Sequence, residues 1–301
     1  MSSNKMRILL DSRDLINLLE HGRPVGVQKF EAYLRAADHQ VVLTFTNVRE
    51  LAGPLARGAE FMRLRPTLQS LDGLPHVCLK EATIVAIEIQ RGVDAFNRGT
   101  EYEGCSPYVP RWDYILMALP GGQQSATENW LNFPLDEMIY YINRTRPDVF
   151  APPADHHLER LQMQLQKDRE LLRAGQAPAR QHFIRSVKNH AATNRISLPK
   201  GREDEFAEWV YARADRCPGL RLNHEMYRTL MANYTDIPEA ADFSDLAHVF
   251  AIPYVDAVTL DNRMRHYCTI ASRKMMKFGA AYNHAGRLYE DVVALIQRNP
   301  V

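Results

Sequence analysis

Four carboxylates stand where an α/β chain places its chemistry. Asp11 directly follows the apolar run Arg7-Ile8-Leu9-Leu10, and Glu50 lies about one helical turn beyond the run Val41–Thr46. Asp261 directly follows Val255-Asp256-Ala257-Val258-Thr259-Leu260. Sites in open α/β sheets form beyond the carboxyl ends of the strands. Parallel strands would therefore send these three carboxylates to one edge. Asp245 joins them by length. A helix from Asp242 to Ile252 runs ~15 Å at 1.5 Å per residue, and the strand from Asp256 to Asp261 returns ~16 Å at 3.3 Å per residue. The helix start, with Asp242 and Asp245, thus comes back beside Asp261. Asp256 falls at the far end of the strand, where a structural role suits it. Carboxylates gathered without Lys or Arg repel one another and take up protons. A hard divalent cation resolves that conflict, and Mg²⁺ favours such oxygen ligands together with water and substrate phosphate.

The elements that must position these residues form an α/β pattern at both ends of the chain. Leu15, Leu18 and Leu19 mark a helix ending at His21-Gly22. Val41–Thr46, rich in β-branched residues, reads as the clearest strand. Asn47, with Glu50 three residues on, has capping-box spacing for the next helix. Helices over 81–97, from Pro134, along Leu158–Leu172 and after Glu203-Asp204-Glu205 fill the middle, and residues 98–125 read as a structured loop. The last part returns to a helix through Leu246, Val249 and Phe250, a strand to Leu260, and helices from about Met264 and Leu288. Strands alternating with helices imply a parallel sheet. The expected organisation is a core of residues 1–60 plus 236–301, interrupted by an all-helical insertion over 61–235.

ILLDSRDLINLL, VVLTFTNVREL and DFSDLAHVFAIPYVDAVTLDNRM resemble the acidic motifs of PIN-domain nucleases. The resemblance covers roughly residues 6–60 and 240–300. It implies a PIN-like parallel sheet flanked by helices, and it maps the family's acids onto Asp11, Glu50, Asp245 and Asp261, with Thr259 as the hydroxyl before the last Asp. We prefer Asp245 to Asp242 for the third position because the Leu246–Val249–Phe250 stripe follows it immediately. The implied activity is hydrolysis of phosphodiester bonds, usually in RNA, with Mg²⁺ or Mn²⁺ held by Asp11, Asp245 and Asp261 and an activated water as nucleophile. The family resemblance is also compatible with a homodimer and with an inhibitory protein partner. Two other functions fit the same residues: a structure-selective DNA nuclease, and a non-catalytic nucleic-acid-binding or scaffold protein on a PIN-like fold.

Other motifs exclude more than they support. His156-His157 and His224-Glu225 do not make HExxH, which removes zinc hydrolysis of that kind. Gly53–Gly58 begins like a P-loop, but Ala59-Glu60 replaces the Lys-Ser/Thr that would contact phosphate. His248, one turn after Asp245, is accounted for more simply as a hydrogen-bonded, half-buried imidazole than as a catalytic group. The 301 residues carry 37 Lys and Arg against 36 Asp and Glu, a net charge of +1, so any nucleic-acid surface must be local. Between residues 160 and 202 there are ten Lys and Arg against two acids, a local excess of eight. Arg180, Arg185 and Lys188 in that segment, and Arg263 and Arg265 beside Asp261, are the candidates for phosphate contact. No apolar run reaches ~18 residues, which argues against a membrane span. The opening MSSNKMRILLDSRD has too short an apolar run for a secretory signal. Cys78, Cys105, Cys217 and Cys268 are dispersed, as expected of reduced thiols in the cytoplasm.

Overall fold

The computed structural model describes residues 5–23, 25–109, 134–151, 155–175, 179–237, 239, 245–246, 248–280 and 283–300. Six strands form one sheet: β1 (Arg7–Leu9), β2 (Gln40–Thr44), β3 (His76–Leu79), β4 (Tyr108–Val109), β5 (Ala257–Thr259) and β6 (Leu288–Tyr289). Their order is β4-β3-β2-β1-β5-β6, parallel throughout except for β4, which runs antiparallel against β3. Twelve α-helices flank the sheet among the described residues: α1 (Ser12–His21), α2 (Val27–Ala36), α3 (Phe45–Ala56), α4 (Phe61–Gly73), α5 (Glu81–Arg98), α6 (Leu135–Thr145), α7 (Asp155–Arg173), α8 (Ala179–Thr193), α9 (Glu203–Ala212), α10 (Pro218–Ala232), α11 (Asn262–Met276) and α12 (Val292–Arg298). None of them is long and apolar enough to cross a membrane.

Strand residues alternate between two cores. Ile8, Leu10, Val41, Leu43 and Ala257 pack on one side with Leu15, Leu18, Val48, Leu51, Leu68 and Ile139. Leu9, Val42, Leu79 and Val258 pack on the other with Leu222, Met226, Leu230, Met264 and Cys268. Both faces are covered, which is why the central strands read as unbroken apolar runs. A third cluster, including Val85, Ile89, Phe183, Val187, Phe206 and Val210, joins α5, α8 and α9.

Three expectations are corrected. The segment 61–235 is not all-helical, because β3 and β4 lie within it and β3 pairs with β2 from Val41↔His76 to Thr44↔Leu79. Its α10 also covers the second face of the sheet alongside α11, so the helices are built onto the core. Leu288 begins a strand, β6, with the final helix starting at Val292. The second strand stops at Thr44, and Thr44, not Asn47, caps α3. The capping box pairs Thr44 with Asn47. Asn47, the third residue in, accepts from the Thr44 backbone N–H at 3.2 Å. This leaves Glu50 in the second turn instead of the first.

Candidate active site

The carboxyl ends of β1 and β5 lie side by side, with Leu9 in register with Val258. Each chain then turns directly into a helix whose N-cap is an aspartate. The Asp11 carboxylate accepts from the Arg13 backbone N–H at 3.1 Å. That of Asp261 accepts from the Met264 N–H at 2.8 Å. Capping uses one oxygen's lone pairs and stabilises a negative charge where the helix dipole is positive. Thr259 ties the two turns together, because its Oγ1 accepts from the Asp11 backbone N–H at 2.9 Å and its side chain is fully buried.

Asp14, one turn into α1, is the residue that sequence reasoning missed. It is buried, and its Oδ2 has no hydrogen-bond partner. Burial raises its pKa, the Thr259 hydroxyl and Arg13 pull it down, and the neighbouring Asp11 charge pushes it up again. Its signal was available as an acid three residues after a capping Asp, a spacing also expected of ordinary helix-start chemistry.

Beside these turns, Asn47 holds the edge together. Its Nδ2 donates to Leu10 O and to Ser12 Oγ, each at 3.1 Å. Next to it, Glu81, the first residue of α5 beyond β3, accepts from the backbone N–H of Thr46 at 2.7 Å and from its hydroxyl. The remaining Glu81 oxygen lies 3.9 Å from His248 Nδ1. Both side chains are buried, and neither His248 nitrogen nor Glu81 Oε2 has a hydrogen-bond partner. His248 therefore faces the end of β3. Sequence reasoning could not supply that neighbour, because it placed β3 inside the helical insertion and predicted no strand there.

Glu50 is half-buried on α3, and Asp245 is half-buried in the helical residues before β5. Asp242 lies outside the described residues. Asp256 acts structurally, as expected, accepting from the Arg7 backbone N–H at 2.9 Å. Among the described residues no three His, Cys, Asp or Glu are grouped closely enough to hold a metal ion. The donors at the β1–β5 edge accordingly do not form an all-protein cage. What that edge presents is two capping carboxylates, Asp11 and Asp261, and the buried carboxyl of Asp14, whose Oδ2 has no partner. Mg²⁺ takes one or two carboxylates and fills its remaining positions with water and phosphate.

Several basic residues of the helical segment are engaged. Arg180 pairs with Glu208 and Lys188 with Asp204, each at 2.5 Å, joining α8 to α9. Buried Arg169 donates to the carbonyls of Leu230 and Asn233 at 3.0 and 2.5 Å, closing the end of α10. Arg263 pairs with Asp236 at 2.7 Å and Arg265 with Glu290 at 3.1 Å, whereas Arg185 is exposed. In comparisons with known proteins, no family model, curated protein or solved structure matched the chain.

Proposed function

We propose that this chain is a PIN-like, Mg²⁺- or Mn²⁺-dependent ribonuclease whose site lies at the carboxyl edge of β1 and β5. The observation that carries this reading is that Asp11 and Asp261 are each the N-cap of a helix leaving adjacent parallel strands, with Thr259 bonded to the Asp11 backbone N–H. Asp11 and Asp261 would hold the cation, with Asp245 approaching from the preceding helix and Glu50 orienting a water from α3. When bound, the cation would lower the pKa of that water and stabilise charge on the phosphoryl group. Asp14 would add negative charge beside Asp11, and Thr259 would fix the turn that carries Asp11 through its bond to the Asp11 backbone N–H. Asn47 would hold the β1–α1 turn from the other side.

Cleavage of single-stranded RNA, with and without Mn²⁺, tests this reading. Asp11→Asn and Asp261→Asn should each lower the metal-stimulated rate by on the order of 100-fold, the scale of removing one group that stabilises charge in a transition state. Undiminished turnover in both variants would remove the site assignment. Salt-sensitive RNA binding with no metal-stimulated turnover would instead identify a non-catalytic binding protein on this fold, and cleavage confined to DNA would identify the DNA nuclease.

A further inference from the structure

We infer that the substrate strand lies along α11, in a groove between that helix and the segment leading into β6. This deepens the nuclease reading and rests on it for the position of the scissile bond. The groove has a volume of about 570 Å³ and is lined on the α11 side by Asn262, Arg265, His266, Thr269, Ile270 and Arg273, with Ala285 and Leu288 opposite. Asn262, His266, Thr269 and Arg273 follow one another at intervals of four, three and four, so they form one stripe along the helix. The opposite face of α11, with Met264, Tyr267, Cys268, Ala271 and Met275, is buried. The stripe is therefore the part of the helix left to meet a ligand.

The groove begins at the candidate site, since Asn262 is the residue after the capping Asp261. From Asn262 to Arg273 the helix rises ~16 Å, which matches four or five stacked nucleotides at ~3.4 Å each along one strand. Arg273 is exposed and has no ionic partner among the described residues. The half-buried Arg265 donates to Glu290 at 3.1 Å and to Asn262 Oδ1 at 2.7 Å, and because the Glu290 carboxylate is about half exposed, at 52%, a phosphate can take its place. The Thr269 hydroxyl donates to Arg265 O at 2.8 Å, leaving its oxygen as an acceptor. A single row of cationic and polar groups suits one sugar–phosphate backbone. On the ribonuclease reading the occupant is single-stranded RNA, bound mainly through its phosphates. Arg180 and Lys188 do not line this groove and are not part of the path.

The test is fluorescence anisotropy of a labelled single-stranded RNA 12-mer with full-length protein in chelator, at several salt concentrations. The double variant Arg265→Ala/Arg273→Ala should reduce the slope of log Kobs against log salt by about 1.4, or ~0.7 for each phosphate no longer neutralised. Arg273→Lys should keep the wild-type slope, and Arg180→Ala/Lys188→Ala should bind as wild type does. The inference is overturned if the α11 double variant keeps the wild-type slope, if the wild type does not bind the 12-mer, or if a blunt duplex binds more tightly. Cleavage measured on the same proteins separates the two ideas. Metal-stimulated turnover with an unaltered slope in the α11 variant removes only the groove. A reduced slope in a protein that never cleaves removes only the catalytic reading.

Discussion

At the scale of single residues, the candidate site sets stability against function. Asp14 places a carboxylate in a buried position with one oxygen unpartnered, and it does so beside a second negative group. An unsatisfied buried polar atom costs about 1–3 kcal/mol. Asp14→Asn keeps the size and shape of the side chain and removes the charge. In metal-free buffer we expect this variant to be more stable than the wild type by about 1 kcal/mol in urea unfolding. If the carboxyl serves a cation, the same change should reduce the rise in Tm that Mn²⁺ produces, because a ligand bound only by the folded state stabilises it in proportion to its affinity. A variant that is less stable without metal, or that gains as much from Mn²⁺ as the wild type, would contradict this account. The positions of Asp11 and Asp261 just after β1 and β5 were legible in the sequence because each follows an apolar run, and both also cap the helix that comes next. Asp14 was not, since an acid in the first turn of a helix is common whether or not a site lies above it.

Elements explain which parts of the fold could be read in advance. β1, β2 and β5 announced themselves through compact apolar, β-branched runs, and α1, α5 and α11 through helical spacing. β3 did not, because His76-Val77-Cys78-Leu79 is short and lies between two helices, where no alternation separates it from its surroundings. Its membership of the sheet is decided by pairing with β2, a contact between residues more than thirty positions apart. The start of α3 was misread by three residues for a related reason. Thr44 and Asn47 are both good caps, and the choice between them rests on Asn47 being drawn under the β1–α1 turn. Its amide accepts from the Thr44 N–H and hydroxyl at 3.2 and 3.0 Å while donating to Leu10 O and Ser12 Oγ. Asn47→Ala would leave several buried groups unpaired at once and should cost about 2–3 kcal/mol. Asn47→Ser, which retains one acceptor and one donor, should cost less. Urea midpoints for the two variants give the comparison, and equal, small losses would show that the β1–α1 turn holds itself in place.

Across the whole molecule, the helical middle is fastened to the sheet core by a buried carboxyl. Glu88 of α5 is fully buried, and it accepts from the backbone N–H groups of Gly219 at 2.6 Å and Leu220 at 3.0 Å, at the start of α10. The Tyr254 hydroxyl, from the turn before β5, donates to the same carboxyl. Three separated stretches of chain thus meet at one side chain. Gly219 makes the meeting possible, because a Cβ there would lie 2.7 Å from Phe250 O and 3.0 Å from Glu88 Oε1. Gly219→Ala should therefore displace backbone and lower Tm. Burial pushes the Glu88 pKa up to about 7, against the two N–H donors and the tyrosine, which favour the charged form. Since the folded value lies above the ordinary value of 4.5, proton uptake by Glu88 favours the folded state. That contribution is complete below about pH 4.5 and is lost as the pH rises through about 7. Between pH 5 and 8 the wild type should lose stability more steeply than Glu88→Gln, whose amide oxygen can still accept from α10. Tm measured across that range for both proteins decides the point: parallel curves would mean that Glu88 is ionised in the fold at neutral pH and that the α10 N-terminus, rather than a proton, balances it.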